Sequence, residues 1–303
     1  MNLRKLTTET RNPRTLRLDA MSPLEIVAAM NREDAEVPRA IEQVLPQIAA
    51  AVELVAERLA RGGRLIYAGA GTSGRLGALD ASECPPTFGA SPSMVQYLIA
   101  GGDRALTHAV EGAEDSPELG RADIGTRQVT ADDVVVGLAA SGRTPYTLGV
   151  LTEASSRGAA TIAISCNRGS ALGQAADIAI EVEVGPEALT GSSRLKAGTA
   201  QKLICNMLTT GAMTRLGYVY ENLMINVQLT NHKLMERGLS IVETLAQVDR
   251  ATAERALAES GNSVRLAIVM LRTGLAKAEA EARLAKAHGH ARHAIEGDAA
   301  CAR

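Results

Sequence analysis

The chain has 303 residues, 46% of them hydrophobic and 22% charged, with 34 acidic against 32 basic side chains and a formal charge of −2. One Phe, five Tyr and no Trp imply an aliphatic core and argue against two modes of nucleic-acid binding, a basic footprint on the phosphate backbone and base stacking on aromatics. A bound sugar would have to be held through phosphate and hydroxyl contacts instead. At roughly 100–200 residues per domain, the length fits one large domain with an appendage, or two small ones. Cys84, Cys166, Cys205 and Cys301 form no C-x-x-C pair and read as reduced thiols rather than a zinc site. No apolar run approaches the roughly 20 residues of a membrane span. The stretch Met1 to Arg17 is charged and polar, unlike a signal peptide, and the expectation is a cytoplasmic protein.

A first helix is predicted from Ser22-Pro23-Leu24-Glu25, a capping box with proline in the first turn, to about Asn31. A second helical stretch starts near Asp34, is kinked or divided at Pro46, and carries Ile48, Val52, Val55 and Leu59 at helical spacing until Gly62-Gly63. Five short apolar runs follow: Leu65 to Ala68, Met94 to Ala100, Val134 to Ala139, Ala160 to Ser165 and Ile178 to Val184. Strands alternating with helical patterns predict a parallel sheet covered on both faces. A long helix is expected from about Ser193 to Leu216, and another from near Tyr220 towards Arg237. Ile241 to Gln247, Arg250 to Glu259 and Ser263 to Leu271 read as three short helices, followed by an alanine-rich helix to about His288. His288, His290 and His293 lie close together without a Cys or carboxylate at ligand spacing, and are read as a frayed polar tail rather than a metal site. The organisation expected is an N-terminal helical segment over 1–61 packing on the sheet, a sheet domain over 62–220, and C-terminal helices over 221–303.

Three strand ends carry the candidate chemistry. Gly69-Ala70-Gly71-Thr72-Ser73-Gly74 has the G-x-G-x-x-G spacing of a dinucleotide site, but its acidic companion, Asp103, comes late, and Thr72 and Ser73 add hydroxyls that such a site does not need. Hydroxyls and backbone amides at a helix N-terminus instead make a general phosphate cradle. Ala140-Ser141-Gly142-Arg143-Thr144-Pro145 ends the third strand, and Thr190-Gly191-Ser192-Ser193-Arg194-Leu195-Lys196 follows the fifth. The carboxyl ends of parallel strands share one edge of the sheet, so the three loops are placed to meet. Thr72, Ser73, Ser141, Thr144, Ser192 and Ser193 are the candidate phosphate and hydroxyl contacts, with Lys196 offering positive charge. Two acidic positions stand nearby. Glu83 is expected at a helix end closed by Pro85-Pro86, and Glu111 and Glu114 on one face of a predicted helix. On sequence physics alone the acidic run reads as a solvated surface.

The block Ile66 to Gly89, with its G-T-S-G-R-L-G and L-D-A-S-E-C-P-P-T-F-G runs, closely resembles the N-acetylmuramic acid 6-phosphate etherases. Thr8-Glu9-Thr10-Arg11-Asn12, Glu111-Gly112-Ala113-Glu114-Asp115, Thr190 to Thr199 and Thr230-Asn231-His232-Lys233-Leu234 carry the same resemblance, which covers nearly the whole chain. It implies a sugar isomerase (SIS) domain, a three-layer αβα sandwich with a parallel sheet, preceded by N-terminal helices, followed by a small helical region and assembled as a homodimer. It implies a phosphosugar substrate, with no nucleic acid, membrane, metal or cofactor. The family reaction releases D-lactate from N-acetylmuramic acid 6-phosphate and leaves N-acetylglucosamine 6-phosphate during peptidoglycan recycling.

By the same resemblance Glu83 matches the acid/base that protonates the departing lactate and activates water, and Glu114 the second catalytic carboxylate, assigned to the C2 proton. An acid working near neutral pH needs a raised pKa, and a dry setting beside Cys84-Pro85-Pro86 is expected for Glu83. Lys233 is read as a solvated lysine or a contributor to a partner subunit's site. Two rival activities are a non-catalytic phosphosugar-binding regulator and an aldose–ketose isomerase. Phe88, the sole Phe, either shields Glu83 or packs the core.

Overall fold

The computed structural model describes residues 7–297; Cys301 and the first six residues lie outside the described residues. After three 3-10 turns, Thr7–Glu9, Pro13–Thr15 and Leu18–Ala20, come the α-helices α1 (Pro23–Asp34), α2 (Glu36–Glu42) and α3 (Leu45–Ala60). Ser22 caps α1 with the expected capping box, and Pro46 sits in the first turn of α3, where its missing N–H costs nothing. The sheet and its connections follow as β1 (Leu65–Gly69), α4 (Gly71–Phe88), β2 (Val95–Ile99), α5 (Pro117–Thr126), β3 (Val134–Leu138), α6 (Pro145–Ser156), β4 (Ala160–Ser165), α7 (Ala171–Gln174) and β5 (Ile178–Glu181). All four pairings are parallel and the strand order is β2-β1-β3-β4-β5. All five residues of β1 are buried, and they alternate between layers. Ile66 and Ala68 join a core with Tyr146, Val150 and Leu151 of α6, whereas Tyr67 points the other way and donates from its hydroxyl to Asp80 of α4 at 2.9 Å. This is the expected αβα sandwich.

The long helix α8 spans Lys196–Arg215. It is joined to α4 through Asp80, whose carboxylate also accepts from Asn206 at 2.7 Å and Thr209 at 3.3 Å. Burial pushes the Asp80 carboxyl up, against those three donors.

Two compact units emerge: one holds the chain to Ser82 and Pro92–Thr209, the other Glu83–Ser91 and the chain from Thr210 onwards. The second unit contains β6 (Val219–Tyr220) and β7 (Leu223–Met224), an antiparallel pair, then α9 (His232–Ala246), α10 (Arg250–Glu259), α11 (Val264–Thr273), α12 (Lys277–Lys286) and α13 (Ala291–Glu296). The helix expected from Tyr220 is therefore a hairpin and a loop. Glu221 between its strands takes φ +53°, a conformation no helix tolerates, and Asn231 caps a helix that starts only at His232. The tail is likewise ordered as α13, with Ala291 and Ala294 buried, because small side chains let it pack on α11 and α12. His290 and His293 stack at 4.8 Å between ring centroids, and no group of three metal-ligating side chains occurs among the described residues. No helix among them is long and apolar enough to cross a membrane.

Candidate active site

The site is built where β1 and β3 run side by side, with Gly69 opposite Leu138. From β1 the chain leaves through α4 to β2, and from β3 through α6 to β4, in opposite directions across the sheet. The two loops diverge there and open a crevice at the carboxyl edge. Glycine sets the first wall. A Cβ on Gly74 would stand 2.7 Å from the Gly69 carbonyl oxygen, so α4 comes against the strand end only because that position has no side chain. Gly71, at φ +53°, makes the turn that starts the helix.

The hydroxyls divide into two groups. The Ser73 hydroxyl is buried and donates to Oε1 of Gln201 on α8 at 2.9 Å, so it fastens α4 to α8. The Ser141 hydroxyl accepts from the Arg143 amide at 3.2 Å and shapes the second loop. In contrast, the hydroxyls of Thr72, Thr144, Ser192 and Ser193 make no hydrogen bond among the described residues and are only partly buried. Thr144 is the clearest case. Ser22, Ser116, Ser170, Asn231, Asp249 and Ser263 each cap their helix through the side chain, whereas Thr144 holds the N-cap of α6 without doing so. With Pro145 at the first helical position, the amides of Tyr146 and Thr147 have no intrahelical acceptor and carry the positive end of the helix dipole. A free hydroxyl beside free amides suits an anionic group.

The third loop meets the first through α8. Gly198 N donates to the Ser193 carbonyl at 3.0 Å, and a Cβ placed on Gly198 would be 3.5 Å from Cγ2 of Thr72. Lys196 does not face this crevice with free charge. It is 1% exposed, and its Nζ lies 2.8 Å from Oε2 of Glu33 on α1, which also pairs with Arg14 at 2.6 Å. Burial alone would raise the Glu33 carboxyl; Lys196, Arg14 and Asn12 outweigh it and hold that carboxyl below its ordinary range.

A cleft of about 210 Å³ adjoins the first loop, lined by Gly71, Arg75, His108, Glu111 and Glu114 among others. The acidic run is not a helix. Glu111 lies in a turn, Gly112 takes φ +75°, and Glu114 sits in a single 3-10 turn, Ala113–Asp115, because glycine in the left-handed region ends any regular winding. Arg75 fixes this segment to α4: its Nε donates to the carbonyls of Ala105 and Leu106, both at 3.0 Å, and its Nη2 to that of His108 at 3.3 Å. Arg75 and His108 were not among the sequence candidates. Arg75 stands inside the quoted motif, and its distance from Gly74, one residue, was the available signal.

Glu83 belongs to the second unit, and its side chain is exposed, so the dry setting expected for it is not found. The prolines do not stop α4, which continues through Pro85 and Pro86 to Phe88. Proline's fixed φ fits a helix, and what it removes is the N–H, so the last turn loses bonds without losing its path. Phe88 is buried, and its carbonyl accepts from Asn226 at 2.7 Å. Lys233 is exposed in the first turn of α9.

A parallel sheet of this order, with free hydroxyls and helix N-termini at one edge, is that of an open α/β domain that takes its ligand beyond the strand ends. The sequence matches the SIS domain family over residues 122–211, the glucokinase regulatory protein N-terminal SIS domain over 47–155 and the C-terminal lid domain of glucokinase regulatory protein over 221–265. A phosphoheptose isomerase from Francisella tularensis shares the fold at TM-score 0.51 and 20% identity, covering 64% of this chain and all of that one. The N-acetylmuramic acid 6-phosphate etherase of Serratia proteamaculans is 57% identical, over 97% of this chain and 99% of its own length. An etherase of Lactiplantibacillus plantarum bearing the same name is 55% identical, over 97% and 100%. The chain belongs to the N-acetylmuramic acid 6-phosphate etherase family.

Proposed function

We propose that the chain is a carbon–oxygen lyase that cleaves the D-lactyl ether of N-acetylmuramic acid 6-phosphate, giving D-lactate and N-acetylglucosamine 6-phosphate in cell-wall recycling and amino-sugar catabolism. The observation that carries this is the likeness, above half identical over nearly the whole chain, to proteins named for that reaction. An alkoxide is a poor leaving group. Ring opening, however, exposes an aldehyde at C1 that acidifies the C2 proton, so elimination across C2–C3 becomes accessible without metal or cofactor. Glu114, on the cleft beside Gly71, takes the C2 proton. Glu83 gives its proton to the lactate oxygen as the C3–O bond breaks, then takes one from the water that adds back at C3. In this reading the protein works as a homodimer in the cytoplasm.

The phosphate rests on the N-terminus of α6 with the hydroxyls of Thr144 and Ser141, while Thr72, Ser192 and Ser193 contact the sugar hydroxyls. Ser73 and Lys196 support this site from inside the fold rather than touching substrate. Thr144→Val is expected to raise KM by about 10- to 100-fold, the loss of one hydrogen bond to a charged group. Because that bond is equally present in ground and transition states, kcat should stay close to wild type. An unchanged KM in steady-state assays would remove Thr144 from the phosphate site.

The direct test is lactate release from N-acetylmuramic acid 6-phosphate by the purified protein, with glucosamine 6-phosphate as the isomerase control. Turnover of the control alone would favour an aldose–ketose isomerase. The matches to glucokinase regulatory protein segments favour a second reading, a non-catalytic phosphosugar-binding regulator. Phosphosugar binding without lactate release would establish that reading.

A further inference from the structure

We propose that Glu187 is a positioning residue that staples the third hydroxyl loop, residues 188–195, shut at its base; the loop's part in binding substrate rests on the proposed function above. Glu187 is fully buried, and its two carboxylate oxygens accept from the first two amides of α8, Lys196 N and Ala197 N, both at 2.9 Å. Everything between Glu187 and Lys196 is therefore an excursion whose two ends are held together by one carboxylate. That excursion carries Thr190, Ser192 and Ser193.

The staple is set deep. Lys196, whose amide it holds, is locked through its side chain to Glu33 and through Glu33 to Arg14. The loop has one other buried tether at this end, the Thr15 hydroxyl, which donates to the Ala188 carbonyl at 2.8 Å. Inside the loop the bonds are local, Ser192 N to Leu189 O at 3.0 Å and Leu195 N to Ser192 O at 3.2 Å, and two more reach it from the start of α8, Gly198 N to Ser193 O at 3.0 Å and Thr199 N to Leu195 O at 2.8 Å. These hold the last residues of the loop to α8, and Glu187 ties that helix start to the other end of the loop. Burial pushes the Glu187 carboxyl up against its two amide donors and Lys196; an isolated buried carboxylate would be costly, and the helix end compensates it.

The arrangement has a second consequence. The first two amides of α8 are occupied by Glu187 and the Lys196 ammonium by Glu33, so α8 offers an anionic ligand neither its opening amides nor that cation. The openings of α4, beside Thr72, and of α6, where Thr144 leaves the helix uncapped, are the ends that stay open to a phosphate. Glu187 thereby both places the sugar-facing hydroxyls and keeps the phosphate off α8.

Glu187→Gln keeps the shape but replaces one acceptor oxygen with an NH2 that faces an amide donor. The expected result is a rise of about tenfold in KM for N-acetylmuramic acid 6-phosphate, with kcat within about threefold of wild type. Faster amide hydrogen exchange should be confined to residues 189–197, which include the two amides that Glu187 holds, with the strands of the sheet unchanged. A folded variant with wild-type KM and wild-type exchange in that loop would overturn the proposal. So would a lost kcat at constant KM, since that would make Glu187 a participant in chemistry. If the Gln variant does not fold, Glu187→Asp decides. It keeps the charge but is one methylene too short to hold both amides, so it should loosen the same residues, and an unaltered loop there would also overturn the proposal. The exchange measurement needs no turnover, so a wild-type protein that releases no lactate would defeat the proposed function while leaving this test intact.

Discussion

Glu83→Gln should lower lactate release by about 10²- to 10⁴-fold, the usual contribution of a positioned general acid–base group, while thermal unfolding stays within a degree or two of wild type. The stability half follows from position. Glu83 is exposed on α4, and surface substitutions away from caps and buried partners change stability little. The activity half follows from the chemistry, because the same group is needed twice, to protonate the departing lactate and then to activate water. Loss of the carboxylate should therefore stop the overall reaction while leaving phosphosugar affinity near wild type. Normal turnover by this variant, measured as lactate released per enzyme, would take Glu83 out of the mechanism.

Glu114→Gln is expected to act one step earlier. With no base at C2, the variant should lose exchange of the C2 proton with solvent as well as lactate release, each by about 10²-fold or more. Glu83→Gln, in contrast, should retain C2 exchange, because the proton can still be removed and returned when the ether does not break. The pair of variants thus separates the two carboxylates by role. Glu111 lines the same cleft, so Glu111→Gln is the matched control. If that variant lost C2 exchange and Glu114→Gln kept it, the base would be Glu111. Neither variant should unfold, since both acids are exposed.

The sheet was readable from sequence because buried parallel strands are short apolar runs bounded by Gly, Ser and Thr. Four of the five runs match their strands within a residue, and the fifth, extended to Val184, ends at Glu181. The three hydroxyl loops follow β1, β3 and β5, in the order read from the sequence. What the pattern could not reveal was which hydroxyls are free. Ser73 looks like Thr72 in sequence, and only the approach of Gln201 from α8, 128 positions away, turns it inward. Lys196 read as an available cation for the same reason. Its partner Glu33 lies in α1, and no local spacing signals a bond across 163 positions.

The misread elements share a different cause. Gly112, Glu221 and Pro85-Pro86 are points where backbone conformation decides, and side-chain periodicity is blind to it. Gly112 and Glu221 adopt positive φ and interrupt predicted helices, whereas the prolines, expected to interrupt, lie within a helix that tolerates them. The dry setting for Glu83 failed because neighbours in sequence point to different sides of a helix. Cys84 is buried and Glu83 is not.

The central claim is that the ether is broken by elimination and re-addition rather than by direct displacement. Running the reaction to completion in deuterated water and examining the N-acetylglucosamine 6-phosphate by NMR tests it in one step. The account predicts deuterium at C2 of the product, introduced when the C2 proton taken by Glu114 is replaced from solvent. Product that carries only protium at C2, formed together with stoichiometric lactate, would contradict it.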